Sequence, residues 1–325
     1  MINLLKKLML ETGVSGRENK IRALIESECR PFADEIITDN MGNLIVRKNG
    51  KGKKIMLCAH MDEIGFFVTY INGDGTLSIS PVGGVNMLSA SYTKVVSENG
   101  TSGILVPSNK TDIPKGEDLY IDIGAKNAKQ AEKYVSVGDY FVVEPSFKKL
   151  LNSKYVGRPF DDRVGCAILI EALKQVKNPQ NDLYFVFSVQ EEVGGRGSKP
   201  ATYQLSPDIS IALDVTMTGD KPGSPKMTVS LGGGCAIKIK DSGVICHSEL
   251  VASMREIARA NKIKYQDEVL LAGGTDASSM QIIGRGSRAG VISIPSANIH
   301  SSVEMIDMND VKEAVKLTVA LTKEL

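Results

Sequence analysis

Leu183-Tyr184-Phe185-Val186-Phe187-Ser188-Val189 runs directly into Gln190-Glu191-Glu192-Val193-Gly194-Gly195, so an apolar stretch of strand length ends in two adjacent carboxylates. A short continuous apolar run bounded by glycine reads as a strand buried on both faces. In an extended segment neighbouring side chains point to opposite faces, so Glu191 and Glu192 cannot share one role. Buried carboxylates neutralise unless a cation stands beside them. With a cation present, one glutamate would bind it while the other faces substrate as a base. A solvated strand-to-loop turn is the simpler alternative, and the rest of the chain decides between them.

Outward from this strand, helix and strand patterns alternate. Apolar periodicity predicts helices over 164–176, 248–260, 276–283 and 311–323, with further strands over 54–59, 209–213 and 290–294. Such alternation predicts an α/β fold with a mixed, mostly parallel sheet sandwiched by helices. Residues 1–11 read as an amphipathic helix, Ser15-Gly16-Arg17-Glu18 has capping-box spacing ahead of a helix reaching about residue 28, and short strands follow at 34–38 and 43–46. Over 66–154 the texture changes. Asn72-Gly73-Asp74-Gly75 and Asn99-Gly100 are hairpin signals between short runs rich in Val, Ile, Tyr, Ser and Thr, and only 127–134 reads as helical. The expectation is a small β-barrel or sandwich, residues 66–154, inserted into a discontinuous α/β domain made of 1–65 and 155–325.

The 39 Lys and Arg residues nearly balance the 38 Asp and Glu residues, for a net charge of +1, and no basic block offers a track for a phosphate backbone. Nucleic acid is therefore an unexpected partner. So is a membrane, because no apolar stretch approaches spanning length. Cys29, Cys58, Cys166, Cys235 and Cys246 are odd in number and widely spaced, and they read as reduced core residues of a cytoplasmic protein.

Four apolar strand candidates lead to potential metal ligands: His60 after the first, Glu191-Glu192 after the second, Asp214 after the third, and His300 six residues beyond the fourth. In open α/β sheets ligands gather at the carboxyl ends of strands, so these side chains would converge. Asp161, in Gly157-Arg158-Pro159-Phe160-Asp161-Asp162-Arg163, is a fifth candidate, with helix capping as its simpler role. Asp62, two residues beyond His60, is placed to orient that ring. His247, the third and last histidine, reads as structural. Two imidazoles with three or four carboxylates and no thiolate pair suit zinc, cobalt or manganese. So many ligands suit two ions about 3.5–4 Å apart that share a carboxylate and a water whose pKa falls toward about 7.

Seven motifs, in order and nearly end to end, carry a resemblance: Gly42-Asn43-Leu44, Ala59-His60-Met61-Asp62-Glu63-Ile64-Gly65, Phe160-Asp161-Asp162-Arg163-Val164-Gly165, Val189-Gln190-Glu191-Glu192-Val193-Gly194, Ala212-Leu213-Asp214-Val215-Thr216, Gly273-Gly274-Thr275-Asp276-Ala277 and Ile299-His300-Ser301-Ser302-Val303-Glu304-Met305. The chain resembles the tetrahedral-aminopeptidase family of di-metal peptidases, which includes glutamyl aminopeptidases and proteins labelled cellulase M. The resemblance implies a di-zinc exopeptidase-like fold and removal of the N-terminal residue from short peptides by a metal-bridging hydroxide. It implies two divalent ions, zinc or cobalt, with manganese as an alternative. Asp161 would bridge them, His60 and Asp214 would complete one shell, and Glu192 and His300 the other. Glu191 would be the general base, Asp62 would support His60, and Asp276 is a candidate substrate contact with helix capping as its rival role. The Asp161-Asp162 bond would be cis. Self-association into dimers or a tetrahedral dodecamer would run through the inserted domain. Ala297-Asn298 stands where an Arg-Tyr pair is common, and the segment from Gly103 to Ser108 lacks a histidine often found there.

Two other activities compete. A glycoside hydrolase would need carboxyl groups flanking a sugar and has no use for the histidines, and the chain contains no Trp for sugar stacking. A di-metal carboxypeptidase or deacylase would present an Arg to a substrate carboxylate, with Arg163, Arg196, Arg285 and Arg288 as candidates.

Overall fold

The computed structural model describes residues 1–108 and 114–325; residues 109–113 of the expected insert lie outside the described residues. The apolar runs form the centre of an eleven-stranded mixed sheet. Asp182–Ser188 lies parallel to Lys54–His60, with Ser188 opposite His60, and Ile209–Thr216 is parallel to both Lys54–His60 and Arg288–Ala297. Every residue of Asp182–Ser188 and Ile209–Thr216 is buried, which is why these segments carry no polar alternation.

Parallel pairing is concentrated at this centre. Leu44–Lys48 and Glu35–Thr38 add antiparallel strands at one side; Glu304–Asp307, Lys154–Arg158 and Ser146–Lys149 add them at the other. Helices Ile2–Leu10, Asn19–Cys29, Arg163–Gln175, Ser248–Ala260 and Met308–Glu324 pack together, while Ser198–Leu205 and Ala277–Ile282 form a separate layer against the central strands. Helices on both faces give the sheet the dry surroundings a parallel core needs.

The insert is a closed, all-antiparallel barrel of six strands: Gly65–Ile71, Leu77–Val82, Lys94–Ser97, Ser102–Pro107, Leu119–Asp122 and Tyr140–Val143. Phe66, Val68, Leu77, Leu105, Ile121 and Phe141 fill it, and closure leaves no free edge. The barrel ends before the expected bound at 154. Ser146–Lys149 instead pairs with Lys154–Arg158 at the edge of the large sheet. The helix expected over 127–134 is the short Ala128–Ala131, capped by the Asn127 side chain.

The capping box is a correction. Helix Asn19–Cys29 has no side-chain cap, because Ser15 donates to Asp62 Oδ2 at 2.6 Å and Glu18 accepts the backbone N–H groups of Gly16 (2.7 Å) and Gln190 (3.1 Å). Both residues serve the strand ends rather than their own helix.

Candidate metal centre

His60 closes its strand with its ring buried, and its Nδ1 lies 3.1 Å from the Asp62 carbonyl oxygen. The Asp62 carboxylate stands 3.5 Å from that nitrogen. Its oxygens accept the N–H groups of Glu191 (2.9 Å) and Glu192 (3.2 Å). Asp62 thus meets His60 chiefly through its backbone, and its side chain holds the loop that carries both glutamates. Gln190, at φ 54°, turns the chain out of the strand. The glutamates are separated by this turn rather than by strand alternation.

Asp161 is released from capping by its neighbour. Asp162 is the N-cap of Arg163–Gln175 and accepts the Gly165 N–H at 3.0 Å. A Cβ on Gly165 would lie 2.4 Å from Asp162 Oδ2, so only glycine fits under the cap. The Asp161-Asp162 peptide bond is cis. Asp214 lies within its strand, and His300 follows Arg288–Ala297 on a turn with φ of 60° at Asn298 and 62° at His300. His300 Nδ1 lies 2.8 Å from the carbonyl oxygen of Gly84, just beyond the barrel strand Leu77–Val82.

These side chains converge around Asp161. Its Oδ1 is 3.1 Å from His60 Nε2 and its Oδ2 is 3.2 Å from His300 Nε2. His60 Nε2 is also 3.8 Å from Asp214 Oδ1 and 4.0 Å from Glu191 Oε2, and His300 Nε2 is 3.3 Å from Glu192 Oε2. Two ligand groups result, His60 with Asp161 and Asp214, and Asp161 with Glu192 and His300; within each, one ligand atom per residue lies within 4.8 Å of the others.

Burial and crowding shift the charges of the whole cluster. Burial pushes the Glu191 carboxyl well above its ordinary value, with Asp214, Asp276 and Glu192 adding to the push against His60. Burial and Asp161 together raise Asp214 and Glu192. For His60 burial works downward, but Asp161 and Asp62 win and raise it well above the normal range; His300 rises to about 11 against the same burial, through Asp161 and Glu192. Asp161 falls despite burial, because it faces both imidazoles. Excess carboxylate is therefore balanced by retained protons at positions that suit cations. Among the described residues Glu192 Oε1 is buried without a hydrogen-bond partner, and a nitrogen and oxygen donor set with one unsatisfied carboxylate oxygen fits divalent ions.

The centre opens into a cavity of about 670 Å³ whose wall includes Val215, Met217, Leu270, Ile282 and Ile299. Asp276 is not among its lining residues. It is 2% exposed, makes no capping bond, and accepts hydrogen bonds from Ser188 Oγ and Cys58 Sγ, which ties its helix to two central strands. The candidate substrate contact is thus a buried anchor. None of Arg163, Arg196, Arg285 and Arg288 lines the cavity, and Arg163 is spent on the carbonyls of Leu8, Glu11 and Met61. Lys238 does line it, although sequence reading passed over it, and it is held by Asp241 (3.0 Å) and Glu268 (3.2 Å).

The M42 glutamyl aminopeptidase model matches residues 42–317. A putative aminopeptidase of Acetivibrio thermocellus is 47% identical over 324 residues, 98% of this chain and 97% of that protein. Among solved structures, an aminopeptidase from the archaeon Desulfurococcus kamchatkensis has a TM-score of 0.96 at 36% identity, over 100% of this chain and 94% of that one. The Pyrococcus horikoshii TET1 peptidase, which can assemble into a tetrahedron or a large octahedral shell, has a TM-score of 0.91 at 34% identity, over 100% and 99%. On a match of this extent the chain belongs to the M42 glutamyl aminopeptidase family and is a metallo-aminopeptidase, a hydrolase of peptide bonds.

Proposed function

We propose that the protein is a di-metal aminopeptidase that releases the N-terminal residue of short peptides. The observation that supports it most is the placing of the two Asp161 oxygens, one 3.1 Å from His60 and the other 3.2 Å from His300. His60 and Asp214 would hold one divalent ion, Glu192 and His300 the other, with Asp161 shared; zinc or cobalt suits the donors, and manganese is the alternative. When bound, such ions polarise a scissile carbonyl and acidify a shared water. Glu191 would take the water's proton and deliver it to the leaving amine. Its raised carboxyl suits both halves of that task.

The carboxylate excess of the centre matches a free α-amine, which supports action at the N-terminus. The apolar wall of the cavity suits an apolar first side chain; of its two lysines, Lys238 is outnumbered by its two acidic partners, while Lys199, which donates to the Gly194 carbonyl at 3.1 Å, is the cation that an acidic side chain would meet. The inserted barrel, residues 65–143, would act as the self-association unit, giving dimers or a tetrahedral dodecamer, while the α/β layers carry catalysis in the cytoplasm.

Aminoacyl-anilides with Leu, Glu and Lys, alongside N-blocked peptides and a soluble cellulose derivative, test this directly. Chelator-sensitive hydrolysis of free-amine substrates, fastest for Leu, is expected. Cleavage of blocked peptides or chelator-resistant sugar release would refute the aminopeptidase reading, and fastest cleavage of the Glu substrate would refute the side-chain preference alone.

A further inference from the structure

Glu304 opens the strand Glu304–Asp307 and is 1% exposed. Its Oε2 accepts the backbone N–H groups of Phe160 (2.6 Å) and Asp161 (3.2 Å), and its Oε1 accepts that of His300 (3.2 Å). One carboxylate therefore grips two ligand-bearing loops that are remote in sequence. Sheet order explains how it reaches both. Glu304–Asp307 lies between Lys154–Arg158, which leads into Asp161, and Arg288–Ala297, which leads into His300; Gly157 pairs with Glu304 and Ala297 with Met305.

A buried carboxylate at a sheet position is costly unless its charge is met. Arg158, 2% exposed, meets it at 3.6 Å from Oε1. Arg158 is itself fixed by the carbonyls of Ser301 (3.3 Å) and Ile64 (3.0 Å). By holding the Asp161 backbone, Glu304 leaves both Asp161 carboxylate oxygens facing the imidazoles.

We propose that Glu304 is a positioning residue that sets the separation of Asp161 and His300, and so the affinity of the ligand group formed by Asp161, Glu192 and His300. This rests on the two-ion reading above. A polar partner behind a metal ligand is commonly worth about 10–100-fold in metal affinity. Asp161 is shared, so loss of Glu304 touches both ligand groups, but only the group of Asp161, Glu192 and His300 also loses the hold on His300, and it would be weakened more than the group of His60, Asp161 and Asp214.

Zinc titrated calorimetrically into metal-free protein tests the proposal. Glu304→Gln preserves shape but turns an N–H₂ group toward backbone N–H donors. Wild type should bind two ions per chain, and the variant should weaken one event by about 10–100-fold and the other, which shares Asp161 but not His300, by a clearly smaller factor. Thermal melting of the metal-free forms separates this from a merely structural role. Unchanged affinities for both ions, with or without a lower melting temperature, would overturn the proposal, and so would equal weakening of both. Should Glu304→Gln fail to fold, Glu304→Asp keeps the charge beside Arg158 while withdrawing it from the loops, and it carries the same expectation. Wild-type protein that binds fewer than two ions would instead overturn the underlying two-ion reading.

Discussion

Glu191 and Glu192 are adjacent in sequence and unlike in surroundings. Both line the cavity, but Glu192 Oε2 sits 3.3 Å from His300, whereas Glu191 Oε2 is no nearer to His60 than 4.0 Å. Replacing Glu191 by Gln keeps size and polarity and removes only the ability to take a proton. Glu191→Gln should keep the metal content of wild type and lose about 10²–10⁴-fold in kcat; a loss under tenfold would remove Glu191 from the base role. The identity of this pair was legible because two carboxylates after a buried strand are electrostatically conspicuous. What holds them was not. Ser15 and Glu18 have local capping spacing, and nothing in that spacing reveals that their partners are Asp62 and Gln190. Asp276 misled for the same reason, since its partners Ser188 and Cys58 lie on other elements.

Strand Leu44–Lys48 lies antiparallel to Asp182–Ser188, and the residue before it fastens the loop that carries Glu191 and Glu192. Asn43, fully buried, accepts the Val189 N–H at 3.0 Å and donates to the Gly197 carbonyl at 2.9 Å and to Asp39 at 2.6 Å. A Cβ on Gly197 would lie 2.3 Å from the Val189 carbonyl oxygen and 2.4 Å from Asn43 Oδ1, so glycine is required for this closure. Asn43→Ala would strand the buried Val189 N–H and remove a donor from two acceptors, the half-buried Asp39 carboxylate and the Gly197 carbonyl, which keeps only the Ala201 N–H at 3.4 Å; a buried group left unpaired costs about 1–3 kcal/mol. Urea unfolding should show a loss of about 2–4 kcal/mol, and a change below about 0.5 kcal/mol would show that the loop does not depend on Asn43. At this scale the central strands could be read from sequence because burial on both faces leaves an unbroken apolar run. Cys235–Lys240 and Tyr265–Val269 escaped notice because Lys238 and Glu268 are buried as partners and disguise the pattern. Glu304–Asp307 and Ser146–Lys149 are only four residues each, too short for a period to show.

The barrel and the α/β layers meet at the candidate metal centre through the Gly84 carbonyl against His300. Close by in sequence, helix Met87–Ala90 and the turn after it leave Leu88 62% and Tyr92 63% exposed. Elsewhere on the insert Tyr70, Tyr134 and Val137 are similarly exposed. A closed barrel has no strand edge to offer, so association through it must use side chains such as these. Light scattering after gel filtration should give the mass of two chains or of a larger assembly up to twelve, and wild type at the mass of one chain would refute self-association. The double substitution Leu88→Glu and Tyr92→Glu places like charges on copies that meet there, and it should lower the mass without lowering helix content. Because the segment from Gly84 to Tyr92 continues directly from the His300 contact, the smaller species should also lose affinity for one of the two ions. A double variant that stays assembled would move the interface away from this end of the barrel. Dissociation with both metal affinities intact would show that the Gly84 contact holds without a neighbouring copy.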